Sequence, residues 1–387
     1  MSKLYSFVDM RLKEIIEKYE SGLEIQKDSL TSKERCKLFS EHKPVDRIPC
    51  YIDGGETMAP LLNYSIDEYY HDSEKMVNVE LYIHEKFGSD SVGLSTTLRG
   101  MAEAMGSKIK YSKDTVAQLE KPAIESYDAI SFAKRVDIDK DGRLPIILNG
   151  LKILKEKLGD VVGIGGTVTG PFTVAAMVLG TERLLIGLRK APKKIHELME
   201  VIVENNNKYI ERLIDIGVGI GFADPVSGNS ILRLKDYEEF SLPYFKKNVD
   251  FIHSKGRNCG LHICGKSKAL WEDIAKTGIS AFSLDNVEDL EEVKNILGPY
   301  MEIQGNVPPV EVLRYGEPKD ILLSAKECIR KAYNSKNGYT LTSGCQTPVN
   351  TSEENMMALM DGARIFGKWP LDLDLLNETF EDEYSGR

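Results

Sequence analysis

Val161–Gly180 reads VVGIGGTVTGPFTVAAMVLG, a run without charge over a membrane-spanning length. Whether it is one apolar helix or several buried pieces decides what the rest of the chain can be. Its five glycines, three threonines and single proline make a poor helix for lipid, since Pro171 lacks an N–H and glycine carries the largest backbone entropy cost. VVGIGG reads instead as a buried strand, Gly170-Pro171 as a turn, and the residues after it as the start of a covered helix. A continuously apolar strand feeding a helix is the unit of a parallel α/β sheet.

Outward in both directions the same alternation recurs. IPCYID (48–53), DSVGLST (90–96), VVGIGG (161–166), GIGFADP (219–225), CGLHICG (259–265), ISAFSLD (279–285), MEIQGNV (301–307) and YTLTSGC (339–345) read as short strands. Between them lie longer amphipathic stretches such as Lys194–Ile216, where Ile195, Leu198, Ile202, Tyr209, Leu213 and Ile214 fall near helical spacing. Eight strands alternating with helices predict an α/β fold, a (β/α)8 TIM barrel. The barrel is expected over residues 46–387 as a single catalytic domain, with residues 1–45 as an N-terminal helical extension. In that extension Thr31 precedes Glu34 at capping-box spacing, and Pro44 and Pro49 halt the helix. No internal repeat or low-complexity linker calls for a second domain.

Composition narrows the function. Sixty acidic residues against fifty basic ones give a formal charge of −10, and no Lys/Arg cluster interleaves with aromatics, so nucleic acid is not an expected partner. The N-terminus MSKLYSFVDMRLKEIIEKYE is charged every few residues and lacks an apolar signal core, which predicts a cytoplasmic protein without a membrane association. The six cysteines, Cys36, Cys50, Cys259, Cys264, Cys328 and Cys345, show no regular spacing; most read as small buried hydrophobes in a reducing compartment.

In a barrel the chemistry sits at the C-terminal strand ends, and the polar residues collect there: Asp224, His262, Cys264, Asp285, Gln304, Asn306 and Cys345. His262 and Cys264 are two apart on one strand and so share a face. A lone His-x-Cys is common in cores. Cys345 raises its significance, because it ends the last predicted strand and would open into the same mouth. Three ligands there leave a fourth zinc position free, the mark of a catalytic site. Two thiolates and a neutral imidazole offset the charge of Zn²⁺, so the metal is less suited to making hydroxide than one held by three histidines. A thiol in the open position would lose its proton yet stay nucleophilic, which suits alkyl transfer to sulfur.

Further segments carry a resemblance: LTSKERCKLFSEHKPVDRIP at the entry, LRGMAEAMGSKIKY, FADPVSG, LHICG, IQGNVPP, and SGCQTPVNTSEENMMALMDGARIFG near the end. From about Thr31 onward the chain resembles the uroporphyrinogen decarboxylase superfamily, and within it the zinc-dependent corrinoid methyltransferases such as the methylcobamide:coenzyme M methyltransferases. The family's zinc motif falls on His262, Cys264 and Cys345. The resemblance implies a TIM barrel that docks a corrinoid protein over its mouth and passes a methyl group between cobalt and a zinc-bound small molecule. It does not imply decarboxylation. The arginine-rich segment of the decarboxylases is missing after Arg47-Ile48-Pro49, and LSTTLRG lacks their strand-end aspartate.

The expected function is therefore zinc-dependent methyl transfer between a corrinoid, supplied by a partner protein or as free methylcobalamin, and a small acceptor or donor, a thiol such as coenzyme M being favoured. The chain is expected to be too short for a corrinoid domain of its own, and no histidine stands in a D-x-H-x-x-G pattern. A decarboxylase-like carboxy-lyase and a non-catalytic zinc-binding adaptor are the alternatives. Asp224 offers a fourth metal ligand or a substrate contact, and equally an ordinary turn before Pro225. Asn306 can orient substrate or start the turn into Pro308. Thr351 with Glu354 reads as a capping box, and GIGGTVTGP matches neither phosphate-binding fingerprint.

Overall fold

The computed structural model describes residues 9–379. Nine strands form in chain order: β1 (Ser91–Ser95), β2 (Lys108–Lys110), β3 (Gln118–Lys121), β4 (Gly163–Thr169), β5 (Gly219–Ala223), β6 (Cys259–Ile263), β7 (Ala281–Leu284), β8 (Glu302–Val307) and β9 (Tyr339–Ser343). Seven of them make one parallel, curled sheet in the order β1-β4-β5-β6-β7-β8-β9. The antiparallel pair β2–β3 stands apart and was not expected from the sequence. Each strand sends one face to the helices. On that side Val92, Leu94, Ile220, Phe222, Leu261 and Phe282 are buried, and the space for a Cβ at Gly166 is taken by Leu213 and Leu151. The alternate residues face the concave side, and many are small, among them Gly93, Gly165, Gly219, Gly221, Gly260 and Ser283, with His262, Glu302 and Gln304 as larger polar exceptions.

The apolar run at 161–180 breaks where glycine and proline stand. β4 is followed by a buried helix Pro171–Leu179, and the next helix, Thr181–Lys190, turns away by 103° at Gly180, whose φ of +86° favours glycine. No single helix among the described residues is long and apolar enough to cross a membrane. The helix expected around Lys194–Ile216 spans Pro192–Ile216 and buries Ile195, Leu198, Ile202, Tyr209 and Leu213, with Ile214 half-buried.

Two expectations need correction. IPCYID is not a strand. It makes one isolated parallel bridge, Cys50 to Leu341, in which Tyr51 N donates to Leu341 O and Leu341 N donates to Pro49 O. On its other side one backbone bond, Asp90 N to Cys50 O, is joined by side-chain bonds: Cys50 N donates to Asp90 Oδ2 at 2.8 Å, and Ile52 N to Ser89 Oγ at 3.1 Å. Next to them Gly93 N donates to Glu80 Oε2 at 3.1 Å. The segment thus lies between β9 and β1, joined to β1 by a seam made largely of side chains. The second correction is the late capping box. The helix Glu353–Phe366 is capped by Ser352, whose hydroxyl accepts from Asn355 N, while Thr351 Oγ1 donates to Pro348 O.

Before the sheet come the helices Asp9–Glu20 and Ser32–Ser40, the latter with the expected Thr31–Glu34 capping box. Ser32–Ser40 lies under the N-terminal strand ends, with Lys33 N donating to Val161 O, Ser32 Oγ to Ser89 O, and Phe39 against Gly338. It is tied there by buried ion pairs. Arg47 contacts Asp90 at 2.6 Å and Asp28 at 2.7 Å, and Arg35 contacts Asp46 at 2.6 Å as well as Asp90. Each charge is matched and hydrogen-bonded, as burial demands.

Candidate metal centre

His262 lies near the end of β6, Cys264 just beyond it, and Cys345 just beyond β9. The curl of the sheet brings these distant strand ends together. His262 Nε2 is 3.0 Å from Cys264 Sγ, the two sulfurs are 3.4 Å apart, and all three ligand atoms lie within 4.8 Å of one another. The other imidazole nitrogen, Nδ1, is 3.0 Å from Ser283 Oγ. With Nδ1–H donating to that hydroxyl, the Nε2 lone pair faces the sulfurs, the orientation a metal ligand requires. Ser283 is the residue paired with His262 in the β6–β7 register, so strand alignment could have found it.

The electrostatics describe a shared charge. The Cys264 thiol donates to Cys345 and, with His262 adding to it, draws the Cys345 pKa down to about 4 although burial opposes this. Cys264 is correspondingly raised, by that same hydrogen bond and by burial. Burial works against an imidazolium at His262, but Cys345, Asp53 and Asp285 outweigh it and raise its pKa. Two sulfurs, one of them favoured as a thiolate, with one imidazole are donors a soft divalent cation such as zinc accepts. The residues present therefore fit zinc.

The remaining strand-end residues have other partners. Asp285 accepts from Gly265 N at 2.7 Å and Val287 N at 3.0 Å, holding the loop after Cys264. Gly265 sits at φ +71° with Ser230 Oγ 2.7 Å from where a Cβ would stand, so the turn requires glycine. Asp224 is buried; Oδ1 accepts from Thr173 N and Thr173 Oγ1, and Oδ2 from Ser227 Oγ. Asn306 is also buried and donates through Nδ2 to the carbonyls of Asp285 and Glu288. Neither joins the three-residue group, and neither lines the cavity beside it.

That cavity is about 670 Å³ and opens along the concave side of the sheet. Besides His262, Cys264 and Cys345 it is lined by Tyr51, Asp53, Glu80, Arg99, Gln304 and Gln346 among others. Of these only Gln304 stood out in the sequence, at a strand end; an isolated Asp or Glu has no spacing to betray it. Tyr51 OH donates to Gln304 Oε1 at 3.2 Å. Burial raises Asp53 to about 6, with Cys345 adding to it, and burial raises Glu80 to about 8.

Residues 31–365 match the family model described as uroporphyrinogen decarboxylase (URO-D). The chain belongs to the uroporphyrinogen decarboxylase family. Within it, the chain is 27% identical over 344 residues to methylcobamide:CoM methyltransferase MtbA of Methanosarcina mazei, covering 86% of this chain and 98% of that protein. It is 25% identical over 320 residues to a methylated-thiol–coenzyme M methyltransferase of the same organism, covering 81% and 84%. A solved methyltransferase from Methanosarcina mazei superposes with a TM-score of 0.77 at 24% identity, over 87% of this chain and 99% of that one, a likeness of fold. In this member of the family the entry arginine, Arg47, is committed to the buried Asp28 and Asp90 carboxylates.

Proposed function

We propose that this protein is a zinc-dependent methyltransferase that moves a methyl group between a corrinoid and a small molecule, a thiol in the favoured case. The convergence of His262, Cys264 and Cys345 on one cavity carries the reading. The URO-D relatives named for methyl transfer to coenzyme M support it. Zinc, when bound, would supply the acidity that makes a substrate thiol a nucleophile at neutral pH.

The chain's own residues prepare for this. Ser283 fixes the imidazole, so that no orientation is lost when a ligand arrives. The hydrogen bond from Cys264 and the nearby His262 lower the Cys345 pKa, which eases the proton release that soft-metal binding demands. In the forward direction the sulfur–carbon bond forms as the cobalt–carbon bond breaks. Its electron pair stays on cobalt, and the thiol proton passes to solvent. On this reading Asp224 and Asn306 hold strand-end loops. The curled sheet and the 48–53 segment close as a (β/α)8 ring, residues 46–387 work as one catalytic unit, and the 1–45 extension supplies its floor. The corrinoid comes from a partner protein or as free methylcobalamin.

The test mixes zinc-loaded protein with methylcobalamin, or with corrinoid proteins of the same organism, and a panel of thiols, following the methyl–cobalt absorbance. Loss of that signal, abolished in His262→Ala and Cys264→Ala, is expected. A flat trace in this direction, together with no Co(I)-dependent demethylation of methyl donors in the other, would leave a zinc-holding adaptor. The Cys345→Ala protein should lose most of its zinc to a competing chelator while remaining folded; a full equivalent retained would undo the ligand assignment.

A further inference from the structure

Guanidinium groups in the interior have carboxylate partners. Arg35 and Arg47 share Asp90, Asp28 and Asp46, and Arg364 contacts Asp361 at 2.8 Å. Arg143, behind Gly100, contacts Glu103 at 3.1 Å and lies over the rings of Tyr70 and Tyr111, although its Nη1 and Nη2 lack hydrogen bonds. Arg99 breaks the pattern. It lines the cavity into which His262, Cys264 and Cys345 open, it forms no ion pair among the described residues, and its Nε is buried without a hydrogen-bond partner. An unmatched charge and an unsatisfied donor in one side chain call for a partner that the chain does not supply.

The loop that carries Arg99 is pinned. Thr97 stands at φ +54°, uncommon for a β-branched residue. Thr97 N donates to Ser95 Oγ at 2.8 Å, Thr169 Oγ1 donates to Thr97 O at 2.6 Å, and Arg99 N donates to Thr97 Oγ1 at 3.4 Å. Arg99 follows β1 at the mouth as Cys345 follows β9. With the 48–53 segment between them, β1 and β9 stand roughly 10 Å apart at about 4.8 Å per step, so a molecule a few bonds long spans from one to the other. Acids line the same cavity. Asp90 is neutralised by Arg35 and Arg47, Glu302 accepts from Thr340 Oγ1, and Glu56 is bonded to Gln346 and Tyr70. Glu80, 3% exposed, is raised to about 8 by burial and is mostly protonated at neutral pH. Asp53, although deep in the molecule, is exposed to the open mouth, where solvent screens it. The charge left without a partner inside the wall is that of Arg99.

We propose that Arg99 anchors the non-reacting end of the small substrate, and that this end is an oxyanion, a carboxylate or a sulfonate. The planar fork of the guanidinium matches two oxygens of such a group, and the pair would satisfy both the charge and the idle donors. An ammonium at the same place would meet a like charge and leave Nε unpaired. The inference deepens the methyl-transfer reading and rests on it for the chemistry at the substrate's other end.

Binding can be measured without turnover on protein loaded with Co(II), using thiolate-to-metal charge-transfer absorbance and thiols that share a two-carbon spacer: 2-mercaptoethanesulfonate, 3-mercaptopropionate, 2-mercaptoethanol and cysteamine. Near neutral pH and at low salt the better of the two anions should bind about tenfold more tightly than 2-mercaptoethanol or cysteamine, and which anion that is assigns the sulfonate or the carboxylate. In Arg99→Gln the advantage should shrink to about threefold or less while metal content stays at one equivalent, and Arg99→Lys should restore part of it. A wild-type preference for the anions of less than about threefold overturns the proposal, as does an Arg99→Gln protein that keeps the wild-type preference. The ranking on the wild-type protein decides the charge preference even if the variants fail to fold. No spectral change with any of these thiols also overturns the role of Arg99, whereas the methyl-transfer reading stands or falls separately on the cobalamin assay with other acceptors and donors.

Discussion

In the metal-free protein one negative charge is shared between Cys264 and Cys345, and the sulfur that keeps it is Cys345, held near a pKa of about 4. Burial, the largest cause, sends other cysteines the opposite way, Cys50 and Cys259 to about 12 and Cys328 to about 11. Iodoacetamide at pH 6 should therefore label Cys345 well ahead of these three, read by peptide mass spectrometry, because only the thiolate attacks. Equal labelling would refute the shared-charge description. The sign for stability follows: the depressed Cys345 pKa contributes stability that is full near the ordinary thiol range and fades as pH falls toward about 4, while the raised pKa of Cys264 takes stability away as pH rises above that range. The grouping of His262, Cys264 and Cys345 was legible in the sequence because a strand places i and i+2 on one face and strand ends meet in one mouth. Ser283, Asp53 and Glu80 were not, since their role depends on register and on which face of a neighbour they meet. Glu80 in particular stands in a helix whose sequence, SEKMVNVELYIHEKF, offers several glutamates of equal promise.

At the scale of elements, Asp224 was the sequence's ambiguous residue, and its hydrogen bonds place it at the start of the helix Pro171–Leu179. Accepting from Thr173 N, it serves the first turn of that helix from a different strand, as a local N-cap would. Asp224→Ala should cost about 2–3 kcal/mol of stability, since it strips partners from buried donors at Thr173 and Ser227. Denaturant unfolding measures the loss, and zinc content should be unchanged; a drop in zinc with little loss of stability would restore Asp224 as a ligand. The long helices and most strands were legible because their apolar periods are unambiguous. The cap at Ser352 in place of Thr351 was a one-residue question that only local geometry answers. IPCYID looked like the other strands but takes much of its hydrogen bonding from Asp90 and Ser89, and no pattern within the segment reveals partners that far along the chain.

Across the whole molecule, Asp90 ties together parts that are distant in sequence: Arg35 of the floor helix, Arg47 of the entry segment and the backbone of Cys50. Asp90→Ala leaves two buried guanidinium groups short of a partner, and a loss of about 3–5 kcal/mol in denaturant unfolding is expected. A loss under about 1 kcal/mol, the size of a surface pair, would mean the network is not holding the floor in place. The same junction has a bearing on motion. Where strands meet strands, the wall is a ladder of backbone bonds, but the 48–53 segment is held by one isolated bridge to Leu341 on one side and, on the other, by Asp90 N to Cys50 O beside the side-chain bonds of Asp90 and Ser89. Side chains change rotamer far more readily than sheets separate. The segment is therefore the least firmly laddered stretch of the wall, and any yielding of the interior begins there while the β4–β9 ladder keeps its register.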